Sequence, residues 1–181
     1  MAPDGSTGLI VEHHWTFRLH GRSGISYTRP MGPELVETWE ISNRINRYVL
    51  DAIAADALLA KPAKGRTIAE IFAHMHNVRI DWLKSGDPSL IGDLVKLEKD
   101  ALSRRGLEDA LQASGLAIAT LVAGGLETGR IKGFKPHATA FAGYLIAHDA
   151  YHRGEIGMVA TSLGFPIDKK TSFGMWEWGV R

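Results

Sequence analysis

The chain has 181 residues, of which 45% are hydrophobic and 23% charged, and its formal net charge at pH 7 is +1. This length suits a single domain with a substantial core, and the even charge gives no reason to expect nucleic acid as a partner. The chain contains no cysteine, which excludes disulfides and thiolate ligands, so any metal ion must be held by His, Asp or Glu.

Residues 1–31 contain glycine and histidine without a sustained helical period, and we expect an irregular N-terminal extension there. Alternation of apolar and polar residues at 10–17 leaves two possibilities open, a short strand or a tail lying on the domain. From Gly32 onward the pattern becomes helical, and residues 32–181 are predicted to form one helical domain.

The first two predicted helices have clear start signals. The first begins at Gly32-Pro33-Glu34, where proline suits the first helical position. The second opens with the capping-box pattern Thr67-Ile-Ala-Glu70 and closes near Lys84-Ser-Gly86, with Pro88 beyond.

Two more helices follow after a polar connection. The third is predicted to start after Ser103 and to run to Gly124-Gly125. The fourth starts at about Pro136 and ends at Leu163-Gly164-Phe165-Pro166, where glycine ends the helix and proline prevents its continuation. Four amphipathic helices without a strand-rich region predict an all-α fold, a four-helix bundle in which a crossover connection is possible.

The fourth helix carries a histidine pair in the run His148-Asp-Ala-Tyr-His152. Residues four apart lie about one turn apart on the same helix face, so both imidazoles project side by side. A single buried histidine is most simply explained by hydrogen bonds to its neighbours. Two adjacent buried imidazoles both need partners and are costly to charge, and a shared cation satisfies both. The same stripe carries aromatic, aliphatic and acidic residues, namely Phe141, Tyr144, Leu145, Tyr151, Glu155 and Val159. Of these, Tyr144 and Tyr151 are expected to line the pocket beside the histidines.

The second helix offers two further histidines, His74 and His76, which differ by about 200° around the helix. His74 lies on the apolar side and is the better candidate ligand. His76 points toward Arg79, and we expect it to be a solvated surface residue. Asn77 and Asp81 share the side of His74, where they either shape a pocket or are ordinary surface residues.

The first helix places polar side chains on its apolar stripe, among them Ser42, Asn43 and Asn46. An unsatisfied polar side chain in such a position costs about 1–3 kcal/mol, so these residues need partners. Two interpretations stay open: the side chains bond across the helices, or they line a polar pocket beside the metal.

Four runs of the sequence together resemble one protein family. They are Trp39-Glu-Ile-Ser-Asn-Arg-Ile-Asn-Arg-Tyr-Val-Leu-Asp51, Thr67-Ile-Ala-Glu-Ile-Phe-Ala-His74-Met-His-Asn-Val-Arg-Ile-Asp-Trp82, His148-Asp-Ala-Tyr-His152-Arg-Gly-Glu-Ile156 and Trp176-Glu-Trp178. In combination they resemble the DinB/YfiT-like family of proposed metalloenzymes, and its DinB branch in particular. The resemblance covers about residues 34–181; residues 1–31 match nothing in the family's pattern.

The resemblance implies a four-helix bundle, often a homodimer, in which three histidines bind one divalent metal ion. Carried over to this sequence, those ligands are His74, His148 and His152, the same three that the helix faces favour. Three protein ligands leave positions for water or substrate, which is the catalytic arrangement. Zn²⁺ and Ni²⁺ suit imidazole best, and Fe²⁺ and Mn²⁺ stay open.

Other residues near the predicted ion have alternative interpretations. Glu155 could orient an imidazole, act as a general base, or form an ion pair with Arg153 or with a basic residue of another helix; the first and third roles are favoured. His137 lies about 16 Å from His148 along the same helix and cannot share the ion. A di-iron site is discarded because only Asp149-Ala-Tyr-His152 places an acid three residues before a histidine.

The leading functional hypothesis is a cytoplasmic metal-dependent enzyme that acts on a small molecule. Family members of known activity suggest hydrolysis, or transfer or isomerisation that depends on a low-molecular-weight thiol. The alternative is a non-catalytic metal-binding stress-response module. DNA binding is disfavoured by the even charge. No apolar run approaches the ~20 residues of a membrane span, and the N-terminus lacks the pattern of a secretion signal.

Overall fold

The structure, a computed structural model, describes residues 32–181, and 71% of these residues are helical. The described residues contain no strand, so the all-α prediction is confirmed for this part of the chain. The expected irregular extension at residues 1–31 lies outside the described residues, as does the choice between a strand and a tail at residues 10–17. Four helices are long and two are short: α1 (Gly32–Ala52), α2 (Ala55–Leu58), α3 (Ile68–Gly86), α4 (Arg104–Thr128), α5 (Ala138–Ser162) and α6 (Lys169–Gly174).

Local signals position the two helices that carry the candidate ligands. At the start of α3, the Glu70 amide donates to the Thr67 hydroxyl, and the Thr67 amide donates to the Glu70 carboxylate. This capping box satisfies two amides that the helix itself leaves unpaired. At the start of α5, the Ala140 amide donates to His137 Nδ1. His137 is therefore a helix cap, consistent with its exclusion from the metal site.

The end of α4 corrects one predicted boundary. The helix continues through Gly124 and Gly125 to Thr128, and it ends at Gly129, whose φ of +76° favours glycine. Gly125 is required by packing, because a Cβ built on it would lie 2.1 Å from Ile131 Cδ1. Gly125 therefore allows close packing inside the helix and does not end it.

Helix α4 also corrects the prediction that no stretch is apolar enough to span a bilayer. By length and composition it could do so, with a mean hydropathy of 1.3 over 18 residues. Its inner side, with Leu111, Ile118 and Val122, is buried and packs in the two apolar clusters of the core. Core helices commonly pass the same test, so α4 is weak evidence for a membrane span.

The core has two apolar clusters separated by a polar layer. One cluster includes Phe72, Met75, Leu111 and Ile156. We call this the Phe72 cluster and the other, which includes Trp39, the Trp39 cluster. On each long helix, one cluster precedes the polar layer in sequence and the other follows it. The polar layer is formed by buried residues of all four long helices, namely Ser42, Asn43, Asn46, His76, Arg79, Ser114, Asp149 and His152.

The order of these layers along each helix gives the topology. Helices α1 and α5 begin in the Trp39 cluster and end in the Phe72 cluster, whereas α3 and α4 begin in the Phe72 cluster and end in the Trp39 cluster. Since α3 and α4 run in the same direction, residues 87–103 must return along their length. This segment lies on α3, with Leu97 bonded to Asn77 and Lys99 paired with Glu70. The connection is therefore a crossover.

Candidate metal centre

Three histidines from two helices converge at one edge of the polar layer. His74 comes from α3, and His148 and His152 come from α5. Their candidate ligand atoms all lie within 4.8 Å of one another. The ring centroids are 5.4 Å apart for His74–His148, 4.8 Å for His74–His152 and 4.5 Å for the pair on α5. The three predicted ligand residues are therefore brought together.

Neighbouring carboxylates determine which ring nitrogens face the centre. His152 Nδ1 lies 2.8 Å from Glu155 Oε2, and His148 Nδ1 lies 3.3 Å from Asp149 Oδ1. An ionised carboxylate only accepts hydrogen bonds, so each Nδ1 carries the proton and each Nε2 presents a lone pair. This assignment follows from the hydrogen-bond partners.

The two Nε2 atoms of His148 and His152 face each other at 3.2 Å. Two lone pairs at this distance repel unless a proton or a cation lies between them. A tetrahedral zinc ion with bonds of about 2.05 Å would separate two ligand nitrogens by about 3.3 Å. The spacing of this pair therefore fits a shared metal ion, and three neutral imidazoles are a donor set that Zn²⁺ and Ni²⁺ accept.

Two of the three histidines, His74 and His152, are held in the neutral form that binds metal. Burial and the nearby positive charge of Arg66 lower the pKa of His74 to about 4. Burial also lowers the pKa of His152, although its hydrogen bond to Glu155 opposes the change. Both rings are thus neutral at pH 7, and protons compete little with a cation for their lone pairs.

Glu155 orients His152 and is itself held by Arg66, a residue that the sequence did not single out. Arg66 Nη2 donates to both carboxylate oxygens, at 2.9 and 3.1 Å. Burial alone would raise the pKa of Glu155, but the His152 hydrogen bond and the Arg66 charge outweigh it and lower the pKa. Glu155 is therefore ionised and already engaged. Arg153, the partner considered from the sequence, donates instead to Asn46 at 2.5 Å.

Asp149 holds the other imidazole and belongs to a fully buried charge pair. Arg79 Nη2 donates to Asp149 Oδ2 at 2.8 Å, and the two side chains are 0% and 1% exposed. Asn46 Nδ2 donates to the same oxygen at 2.7 Å. Burial would raise the pKa of Asp149, but the Arg79 charge and the His148 contact lower it. Arg79 also lies 4.9 Å from the centroid of the Trp39 ring.

The asparagines of α1 bond across the helices and do not line an open pocket, which corrects the second interpretation of the sequence. Asn43 Nδ2 donates to the Leu111 carbonyl oxygen, and Asn43 Oδ1 accepts from Arg79. Asn43 is 7% exposed and Asn46 is 0% exposed. Their connection to the histidines runs through Asn46 and Asp149 to His148. They support the site from within the core.

His76 is buried, contrary to the expectation of a solvated histidine. It is 1% exposed, with Nδ1 at 3.1 Å from the Ala110 carbonyl oxygen and Nε2 at 2.9 Å from that of Val95. Helix α3 is covered on one side by α5 and on another by α4 and the crossover segment. A single helical wheel assumes one buried side, which is why the sequence placed His76 in solvent.

The remaining predicted pocket residues lie at different distances from the centre. Tyr144 is 39% exposed, with its ring centroid 6.3 Å from that of His148. Tyr151 is 71% exposed and 5.1 Å from His152 by the same measure. Asn77 instead fixes the crossover segment, through two hydrogen bonds to the backbone of Leu97. The two tyrosines therefore flank the cluster, while the Asn77 amide is engaged elsewhere.

Comparison of the chain with family models, curated proteins and solved structures found no match. The resemblance to the DinB/YfiT-like family therefore stays a prediction from the four sequence runs.

The buried charge pair predicts a large stability difference between two matched substitutions. Asp149→Asn leaves the Arg79 guanidinium buried without a counter-charge and should lower the free energy of unfolding by about 3–5 kcal/mol. The control Asp81→Asn breaks the exposed pair with Lys96 and should cost less than about 1 kcal/mol. Urea denaturation at pH 7 measures both; equal costs would contradict the assigned role of the pair.

The lowered histidine pKa values predict acid sensitivity of the metal-free protein. Between about pH 6.5 and pH 4, unfolded chains bind protons that His74 in the folded chain does not bind, so stability falls as the pH falls through this window. The slope is measured from urea midpoints across that range in the presence of a chelator. His74→Asn should reduce the slope, and an unchanged slope would count against the burial of this imidazole.

Proposed function

We propose that the protein is a cytoplasmic metal-dependent enzyme of the DinB/YfiT-like kind, in which the four long helices form a four-helix bundle. The observation that carries this proposal is the convergence of His74, His148 and His152, with ligand atoms within 4.8 Å. The lack of cysteine is compatible with a reducing compartment. The ion would be divalent, with Zn²⁺ or Ni²⁺ preferred and Fe²⁺ or Mn²⁺ as alternatives.

An enzymatic role is favoured over a closed structural site because the cluster supplies three ligands. Structural zinc sites in proteins usually have four protein ligands, whereas catalytic sites keep one position open. When bound, such an ion supplies Lewis acidity that can activate a nucleophile or polarise a carbonyl group. The substrate class we propose is a small molecule, transformed by hydrolysis or by transfer or isomerisation that uses a low-molecular-weight thiol.

The chain's own residues have separable tasks in this proposal. Asp149 and Glu155 keep the protons of His148 and His152 on Nδ1, so the Nε2 lone pairs stay directed at the centre. Tyr144 and Tyr151 flank the cluster, with their ring centroids 6.3 Å from His148 and 5.1 Å from His152, respectively. Glu155 also stays a candidate for proton transfer, which would require its carboxylate to leave Arg66.

A non-catalytic metal-binding stress-response module is the alternative. The same geometry supports it, because an ion shared between α3 and α5 would join two helices and add its binding free energy to the folded state. The two functions differ in what the ion does: turnover in the first case, and stability alone in the second.

Removing one proposed ligand tests both functions. His148→Ala should lose stoichiometric metal, measured by elemental analysis of untagged protein, and any metal-dependent turnover of ester, amide or thiol-transfer substrates. The control His137→Asn removes a histidine from the same helix and keeps a capping side chain, so metal content should be unchanged. Stoichiometric metal that raises the melting temperature, without turnover of any substrate, would favour the non-catalytic module. Equal metal content in both variants would refute the proposed site.

We also propose that the protein is a homodimer that uses the outer face of α5. No exposed residue of α5 is charged; they are Thr139, Gly143, Tyr144, Ala147, Ala150, Tyr151, Gly154, Met158, Thr161 and Ser162. Extended uncharged surface on a helix is typical of a contact site. A face without charge meets its own copy across a two-fold axis without like-charge repulsion, and its small residues allow the helices to approach closely.

A charge placed on this face should separate the subunits. Ala147→Glu should reduce the solution mass from two chains to one, because the carboxylate would be buried without a partner. Light scattering after size exclusion measures the mass. Ala113→Glu introduces the same change on the exposed side of α4 and should leave the dimer intact. A wild-type protein of one-chain mass at all concentrations would contradict the proposal.

A further inference from the structure

A second candidate binding site lies between α1 and the beginning of α4. A cavity of about 770 Å³ opens there, lined also by the last two residues of the chain. Its lining residues are Arg44, Arg47, Tyr48, Leu50, Asp51, Arg104, Arg105, Glu108, Val180 and Arg181. We refer to it as the arginine groove. The histidine cluster lies between α3 and α5, so the two sites are on different helix pairs.

The side chains of the arginine groove carry an excess of three positive charges, from five arginines against two carboxylates. The whole chain has a formal net charge of only +1. The basic charge is therefore concentrated locally and is not a general property of the surface. A concave site lined by one sign of charge raises the local concentration of the opposite ion.

Two of the five arginines have structural roles. Arg104 donates to main-chain oxygens at the end of α1, including those of Leu50 and Ile53. Arg181 donates to the Gly174 carbonyl oxygen, and its guanidinium carbon lies 3.9 Å from the centroid of the Tyr48 ring. These contacts fix the walls of the groove and do not require a ligand.

The other three arginines have donors left over. Arg47 uses Nε on Glu108 at 2.5 Å, and Arg44 uses Nη2 on the Arg181 main-chain oxygen at 2.8 Å. Arg105 has a 94% exposed side chain, and its nearest carboxylate, that of Asp109, is 3.8 Å away, beyond hydrogen-bond distance. Among residues 32–181, no acceptor is hydrogen-bonded to the terminal amino groups of Arg47 or to the guanidinium of Arg105.

We propose that the arginine groove binds a small molecule that carries two or more phosphate groups. Guanidinium groups pair with phosphate oxygens through two parallel hydrogen bonds. Arg44 and Arg47 on α1 and Arg105 on α4 supply such donors from the two sides of the groove. The volume lies within the range of small-molecule sites. Tyr48 and Val180 supply contact for a less polar part of the ligand. The carboxylates of Asp51 and Glu108 interrupt the basic surface, which disfavours a long nucleic-acid strand.

Pyrophosphate is the probe, and titration calorimetry on the full chain at low salt is the measurement. Arg105→Gln should weaken binding at least about fivefold, because it removes charge-assisted hydrogen bonds. Asp51→Asn should tighten binding, since it removes a carboxylate that repels the ligand. A general loss of structure would weaken binding in both variants, so weaker binding by Arg105→Gln together with tighter binding by Asp51→Asn would have to arise from the groove itself. Arg130→Gln is the matched control, an exposed arginine outside the groove, and should bind like the wild type.

Three further measurements could overturn the proposal. Pyrophosphate could bind an ion at the histidines instead, so binding must persist in His148→Ala; its loss there would place the ligand at the wrong site. Citrate should bind more weakly than pyrophosphate, and equal affinity would remove the assignment to phosphate. Tighter binding of a DNA duplex than of pyrophosphate would show a nucleic-acid surface. Absence of pyrophosphate binding, with folding intact by melting temperature, refutes the site.

Discussion

The buried pair between Arg79 and Asp149 is the interaction on which the arrangement of the histidines depends. It joins α3 to α5 within the polar layer, and both partners are excluded from solvent. A buried charge tolerates little displacement of its partner. If the two groups move apart in a medium of low dielectric constant, the attraction that offsets the cost of burying both charges is weakened. His74 lies five residues before Arg79 on α3, and His148 is adjacent to Asp149 on α5. The pair therefore sets the separation of the two helices at the height of the candidate metal centre.

This pair is poorly explained by stability alone. Well-packed apolar residues of similar volume often stabilise a core as well as a buried ion pair does. The pair offers something that apolar residues do not: Asp149 contacts His148 Nδ1, and Asn46 and Arg79 hold the carboxylate in place. The orientation of a candidate ligand is thus coupled to the core of the protein. Arg79 Nε is a buried donor that has no acceptor among residues 32–181, which indicates that the network serves geometry at some cost.

Local sequence signals predicted the helices and the convergence of His74, His148 and His152, because caps and helix faces depend on residues close in sequence. The sequence misplaced residues whose environment depends on several helices. His76 and Arg79 are buried because α3 is covered on two sides, and a helical wheel considers only one. On α5, the stripe that contains His148 is offset from the buried side, whose residues centre about 80° away, near Asp149. This offset buries Asp149 and leaves Tyr151 exposed. Arg66 precedes its helix, where no periodicity could reveal it.

The charges around the histidines constrain what a bound ion would prefer. The candidate ligands His74 and His152 are neutral, and the two carboxylates behind the cluster, Asp149 and Glu155, are matched by Arg79 and Arg66. Arg153 adds a further positive charge near Asp149, so this surrounding shell has no excess of negative charge before any ion is added. A divalent ion would keep most of its positive charge uncompensated, unlike an ion held by carboxylates. A divalent ion held there would therefore favour an anionic ligand, such as a hydroxide, a thiolate or a carboxylate. A shell without excess negative charge is thus consistent with the proposed activation of an anionic nucleophile, which is the chemistry that hydrolysis and thiol-dependent transfer share.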